Sequence, residues 1–193
     1  MGASNFYNSF SILYPLVDIF LRKQKGMLTK LVSDLPRGKL LEIGVGNGSH
    51  LKDYQNQQII AIDISSAMLA NAKKIAPCVE MMEMNGEELA FPDQNFDYVV
   101  ISHTIAVAEK PEKMISEAYR VLKPTGKLFI LNHFTPKNPL RIVDYAFQPF
   151  AKLLHFKSVF YIESIEEIKR FKLLDQVSFG KFAYFKLLIF SKP

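Results

Sequence analysis

The apolar residues of this chain fall into short, nearly unbroken runs separated by stretches with helical spacing. Lys39-Leu-Leu-Glu-Ile43, Ile59-Ile-Ala-Ile62, Val79 to Met84, Phe96-Asp-Tyr-Val-Val-Ile101 and Lys127-Leu-Phe-Ile-Leu131 each read as a strand. A strand that is apolar along its whole length is buried on both faces, which indicates a parallel sheet with helices on either side. Ser66-Ala-Met-Leu-Ala-Asn-Ala-Lys-Lys74 reads as a helix with Ser65 as its N-cap. Lys110 to Leu122 carries Met114, Ile115, Ala118, Val121 and Leu122 at helical spacing, and Pro124-Thr-Gly126 supplies the turn before the fifth strand. A further helical stretch is expected between the first and second strands. The alternation predicts an α/β, doubly wound sheet.

After Leu131 the pattern changes. Residues 135–170 read as a mostly helical insert, with Asn138 as N-cap and Pro139 at the first helical position. Two more strands, roughly Gln176–Phe179 and Ala183–Ser191, are joined at Gly180-Lys181, a connection short enough to allow only an antiparallel hairpin. The sheet should therefore have seven strands, mostly parallel, within one domain: a helical lid at 1–36, a core at 37–134, the insert at 135–170 and the hairpin at 171–193. The opening apolar stretch, Ser9 to Leu21, is broken by Pro15 and Asp18 and is too short to span a bilayer.

Charge adds an asymmetry. Residues 1–40 hold six basic against two acidic side chains, residues 41–136 eight against twelve, and residues 137–193 ten against five. An acidic centre of net −4 thus lies between basic ends of +4 and +5, within a total of +5 over 193 residues. The ends also hold most of the phenylalanines, so they suit an anionic membrane or nucleic acid, or a solvated surface over a core. The single cysteine, Cys78, excludes an internal disulfide and a multi-thiolate metal site, which fits a reducing, cytoplasmic setting.

The chemistry concentrates after the first two strands. In Glu42-Ile-Gly44-Val-Gly46-Asn47-Gly48 the glycines let the backbone approach a ligand closely, and a following helix would add its N-terminal N–H groups. The glycines fall as G-x-G-x-G, with Ser49 where the dinucleotide fingerprint has its third glycine, and no G-K-[ST] of a P-loop occurs. Asp63 ends the second strand nineteen residues after Gly44, placed to accept hydrogen bonds from ribose hydroxyls.

These pieces together resemble the class I S-adenosylmethionine-dependent methyltransferases. Leu41 to Gly48 resembles the first motif, Ile62-Asp-Ile-Ser65 the ribose motif, Asn85 to Asp97 the adenine-side loop, and Val121-Leu-Lys-Pro-Thr-Gly-Lys127 the turn before strand five. The resemblance implies that S-adenosyl-L-methionine is bound by Glu42, Gly44, Gly46, Asn47, Gly48, Asp63, Ile64, Met68, Asn85, Gly86 and Ser102. Glu42 would steady the loop, Asp63 hold the ribose, Ile64 and Met68 flank the adenine, and Asn85 and Gly86 lie at its amino edge. Where the family often has Asp, Asn85 keeps a carbonyl acceptor.

Ile101-Ser-His-Thr-Ile105 lacks the Asn/Asp-Pro-Pro-aromatic run of the adenine N6 enzymes, which argues against nucleic acid as acceptor. Phe6-Tyr-Asn-Ser-Phe10, Tyr14-Pro15, Asn132-His-Phe134 and the Phe-rich insert are similar to bacterial phosphatidylethanolamine N-methyltransferases. That resemblance implies a lipid amine methylated by a peripheral enzyme on the inner face of the membrane. Quinone C-methyltransferases share the Phe-Pro-Asp and Leu-Lys-Pro pieces. A soluble small-molecule methyltransferase and a cofactor-binding protein without catalysis also stay open. An amine must lose a proton before it attacks, so His103, His133 and Tyr14 are the catalytic candidates, with Tyr7 as a second lid residue. No metal site is expected. His50 is expected in the first helix and His155 on the insert surface. Phe6 to Leu21, followed by Arg22, Lys23 and Lys25, is either an interfacial helix, each basic residue adding about 1 kcal/mol on anionic lipid, or a helix packed on the sheet. Phe147, Phe150, Leu153, Leu154, Phe156 and Phe160 either wall an acyl-chain pocket or cap the sheet.

Overall fold

The computed structural model describes residues 14–153, 157–180 and 184–193, with side chains from Leu21 onward apart from Arg22, Lys152 and Leu153. Phe6, Tyr7, Phe10, Leu154, His155 and Phe156 lie outside the described residues, as does the side chain of Tyr14.

The described residues begin with α1 (Tyr14–Ser33) and continue into β1 (Lys39–Ile43), β2 (Gln58–Asp63), α2 (Ser66–Ile75) and β3 (Glu80–Glu83). Then come β4 (Phe96–Ser102), α3 (Pro111–Val121), β5 (Leu122–His133), α4 (Arg141–Leu153), β6 (Lys172–Phe179) and β7 (Phe185–Ser191). The seven strands lie in the order β3-β2-β1-β4-β5-β7-β6, with β7 antiparallel to both its neighbours. The order reverses between β1 and β4, so a crevice opens at the carboxyl ends of these two strands.

Each face carries its own core. On one, Leu41, Ile43, Val99 and Ile101 pack with Met114, Ile115 and Ala118 of α3 and with Phe160, Ile165 and Phe171 from the insert. On the other, Leu40, Val100, Phe129 and Leu187 pack with Leu28 and Val32 of α1. The described side chains of α1 thus form a wall of the core, and Lys25 is buried rather than turned to an anionic surface. From Leu21 on, the segment expected as a lid at 1–36 is a helix whose Leu28 and Val32 pack on the sheet.

Two differences from the sequence pattern bear on function. No α-helix follows the glycine turn: only one 3-10 turn, Leu51–Asp53, separates it from β2. Fourteen residues leave the sheet and return, too few for a helix and its connections. His50 is consequently buried at the base of this loop. In the insert, the expected cap at Asn138 forms a turn, with its Oδ1 accepting from Leu140 N at 3.0 Å, and the helix proper starts at Arg141. Two 3-10 turns, Ile162–Ser164 and Glu166–Arg170, complete the insert.

Ser65 caps α2 as expected, accepting from Met68 N at 3.2 Å. Arg120 and Glu117 of α3 fix the loop that leads into β4. The Arg120 guanidinium donates to the carbonyls of Phe91 (2.7 Å) and Leu89 (2.9 Å), while Glu117 Oε2 accepts from Leu89 N at 2.8 Å. Lys192, just past β7, donates from Nζ to the carbonyls of Tyr119 (2.8 Å) and Leu122 (2.7 Å) and sits over the Tyr119 ring. Replacing it by Met leaves two carbonyls at the α3–β5 junction without this donor. The expected loss is about 1–3 kcal/mol of unfolding free energy, read by urea denaturation of Lys192→Met against the parent.

Candidate active site

The loop after β1 is built on alternating left-handed residues: Gly44 (φ +74°), Gly46 (φ +59°) and Gly48 (φ +66°). An L side chain is strained at each. At Gly44 a Cβ would also stand 2.2 Å from Thr104 Oγ1, a hydroxyl that donates to the Gly44 carbonyl at 3.2 Å. At Gly86 a Cβ would stand 2.4 Å from Ile43 Cγ2. The two glycines keep open the space that the sheet's switch point provides.

Asp63 closes one side of that space. Its Oδ2 accepts from Gly46 N at 2.8 Å and its Oδ1 from Ser65 N at 2.9 Å. Burial pushes its carboxyl up, while backbone amides, chiefly those of Ser65 and Gly46, pull the other way. A cavity of about 280 Å³ lies beside it, with Ile43, Gly44, Asp63 and Ile64 on one side and Met84, Asn85 and Gly86 on the other. Asn85 Oδ1 accepts from Glu87 N at 2.9 Å, which holds the amide at the rim. Apolar flanks with carboxylates at the edge, Asp63, Glu87 and Glu109, suit a ligand that carries an aromatic base, hydroxyls and positive charge. S-adenosylmethionine is such a ligand.

Several sequence candidates stand elsewhere. Glu42 is fully buried beneath the loop, bonded to the His50 ring with Tyr54 beside it. Burial, reinforced by the Glu42 charge, pushes the Tyr54 hydroxyl well up. Met68 is buried in the first turn of α2 and does not line the cavity, whereas Ile64 and Met84 do. Asn47 is buried with its Oδ1 on Ser49 N at 3.2 Å. Ser102 is buried at the end of β4, and its Oγ has no hydrogen-bond partner among the described residues. Tyr14 is the first residue of α1.

His103 and His133 are brought together. His103 follows β4 in a left-handed conformation (φ +57°), uncommon for a residue with a side chain, and its N–H donates to the Leu131 carbonyl at 2.7 Å. Both histidines line a second cavity of about 400 Å³, largely apolar, walled by Leu21, Ala106, Val143, Phe147 and Phe185. Val107 lines both cavities, so the two adjoin. The His133 ring stacks on Tyr184 at 5.4 Å and faces Asp144 Oδ1 at 3.4 Å from its Nε2. Burial lowers its pKa, and the Asp144 charge opposes that shift without overcoming it. Burial thus favours the uncharged imidazole.

Asp144 was not visible as a candidate in the sequence, where an acid on an amphipathic helix reads as solvent-facing. In α4 Asp144 is 5% exposed, while Ile142 and Phe150, like Arg141 and Gln148, lie open, the two apolar side chains at 67% and 63%. Among the described residues no group of three potential metal ligands occurs, and no helix is long and apolar enough to cross a membrane.

Comparison with known proteins agrees with this geometry. The family model described as a methyltransferase domain matches residues 41–130. A phosphatidylethanolamine N-methyltransferase from Cereibacter sphaeroides is 34% identical over 163 residues, covering 80% of this chain and 80% of that protein. A ubiquinone/menaquinone biosynthesis C-methyltransferase from Ectopseudomonas mendocina is 27% identical over 166 residues, covering 75% of this chain and 65% of that protein. Among solved structures, a methyltransferase from Thermotoga maritima superposes with a TM-score of 0.75 at 22% identity, covering 98% of this chain and 99% of the other, a likeness of fold. The sheet order, the glycine loop, the cavity at the switch point and these relatives agree: the chain belongs to the class I S-adenosylmethionine-dependent methyltransferases, and S-adenosylmethionine is its cofactor.

Proposed function

We propose that this enzyme methylates the amine of phosphatidylethanolamine at an anionic membrane surface. The observation that carries the reading is the apolar cavity of about 400 Å³ that adjoins the cofactor cleft and holds His133, whose uncharged form burial favours. Beside it, α4 turns Ile142, Val143, Tyr145, Phe147 and Phe150 outward. A helix that buries its acid and exposes its apolar side chains is stable in water only at a cost, and a lipid interface removes that cost. The Cereibacter sphaeroides relative bears the same activity in its name.

In this reading Asp63 receives the ribose hydroxyls with its remaining lone pairs. Ile64 and Met84 sandwich the adenine, Asn85 and Gly86 meet its amino edge, and Gly44, Gly46 and Gly48 admit the methionine portion. Glu42, Asn47 and Ser102 act from beneath, by holding the loop and the end of β4. Bound S-adenosylmethionine supplies a methyl group on a cationic sulfur, which keeps the electron pair of the broken C–S bond when a nitrogen lone pair forms the new N–C bond. The chain's task is to exclude water, orient the amine and take its proton, for which His133 is placed and His103 lines the same cavity.

Purified protein with labelled S-adenosylmethionine and vesicles containing phosphatidylethanolamine should yield labelled phospholipid. Label transferred only to a quinone precursor would overturn the reading in favour of carbon methylation. Asp63→Ala should weaken cofactor binding by about 1–3 kcal/mol, since it removes charge-assisted contacts to the ligand and the acceptor for two amides; unchanged calorimetric affinity would take Asp63 out of the site. Phe150→Asp should lower vesicle binding by about tenfold or more, as expected for a lost aromatic insertion, with cofactor affinity unchanged. Equal flotation of variant and parent would remove α4 from the membrane face.

A further inference from the structure

The carboxylate of Asp144 has an unmet requirement. It is buried in the wall of the second cavity, and its Oδ2 has no hydrogen-bond partner among the described residues. Its Oδ1 faces the His133 ring, 3.4 Å from Nε2. Lys157 lines the same cavity but donates to the Ala108 carbonyl at 2.7 Å and makes no ion pair with Asp144. A carboxylate taken out of water in an apolar wall is costly unless a cation meets it. The surroundings favour a cation as well: Phe147 and Phe185 line the cavity, and aromatic faces attract ammonium groups. A quinol ring carries no positive charge and offers a buried carboxylate hydroxyl donors alone.

We propose that Asp144 is the recognition group for the acceptor's ammonium, so that the second cavity selects a protonated primary amine over an uncharged headgroup of similar size. This deepens the proposed function and rests on its amine acceptor. An aliphatic amine reaches the enzyme protonated at neutral pH. One ammonium N–H donates to the Asp144 carboxylate, and another proton passes to the neutral His133 imidazole. An imidazolium and a free amine result, with total charge conserved and the nitrogen lone pair exposed toward the cofactor cleft. The imidazolium stands beside Asp144, which stabilises it until it loses the proton to solvent. Each methylated product is again a cation and fits the same aromatic and anionic surroundings.

Binding of short-chain phosphatidylethanolamine and of short-chain phosphatidylglycerol, measured by calorimetry with S-adenosylhomocysteine present, tests the assignment without turnover. The two lipids share the phosphate and acyl chains, and the glycerol headgroup offers two hydroxyls where ethanolamine offers an ammonium. Wild-type protein should bind the ethanolamine lipid about tenfold or more tightly, the worth of a charged hydrogen bond. Asp144→Asn, nearly isosteric, should lose that preference while keeping its affinity for S-adenosylhomocysteine. A preference retained in Asp144→Asn would overturn the role of Asp144 and leave the amine acceptor standing. No preference in the wild type, a result that needs no variant, would overturn both together.

Discussion

Asp63 accepts one hydrogen bond from Gly46 N and another from Ser65 N, and so ties the loop after β1 to the cap of α2 across the switch point of the sheet. Most of the site follows from that pair of hydrogen bonds. The loop can adopt its left-handed path only because Gly44, Gly46 and Gly48 carry no side chain. It keeps that path because its central amide is fixed to a buried carboxylate. The cavity beside Asp63 is what remains once the loop is pinned. Holding a carboxylate in so buried a position raises its pKa, a cost that the amides offset in part and that a ligand's hydroxyls would offset further. Beneath the loop, Glu42 and His50 form a second buried bond that supports it from the side away from the ligand.

The acceptor side obeys a different constraint. The loop after β4, with His103 in its left-handed conformation, and the end of β5, with His133, deliver two rings to one apolar cavity. Helix α4 then supplies Asp144 beside His133, 3.4 Å from its ring nitrogen. The rotation of α4 that buries this acid also obliges Ile142, Val143 and Phe150 to face outward. The buried acid inside the cavity and the exposed apolar side chains outside it belong to one helix. Both suit an amine that arrives attached to a lipid.

Much of the fold was legible because its strands are buried on both faces and so appear as continuous apolar runs. Asp63 and the glycines were legible because their spacing is set by the strand–turn geometry that creates the site. The helix expected after Gly48 was not realised, since the short return to β2 accommodates only a 3-10 turn; with it, His50 moved from a helix surface to a buried bond with Glu42. Met68 carries the spacing of a ligand contact, yet the cap at Ser65 turns it into the core. Asp144 could not be read from the pattern for a physical reason: amphipathic spacing ranks a helix's apolar positions for burial, whereas α4 buries Asp144 and Ala151 and leaves its other described side chains exposed.

The most direct test of this account is a crystal structure of the enzyme with S-adenosylhomocysteine and a short-chain phosphatidylethanolamine. The adenosine should lie in the cavity between Asp63 and Asn85, and the lipid nitrogen in the adjoining cavity between Asp144 and His133, with Val107 at the junction. A nucleoside bound away from Asp63, or a lipid nitrogen remote from the Asp144 carboxylate, would contradict it.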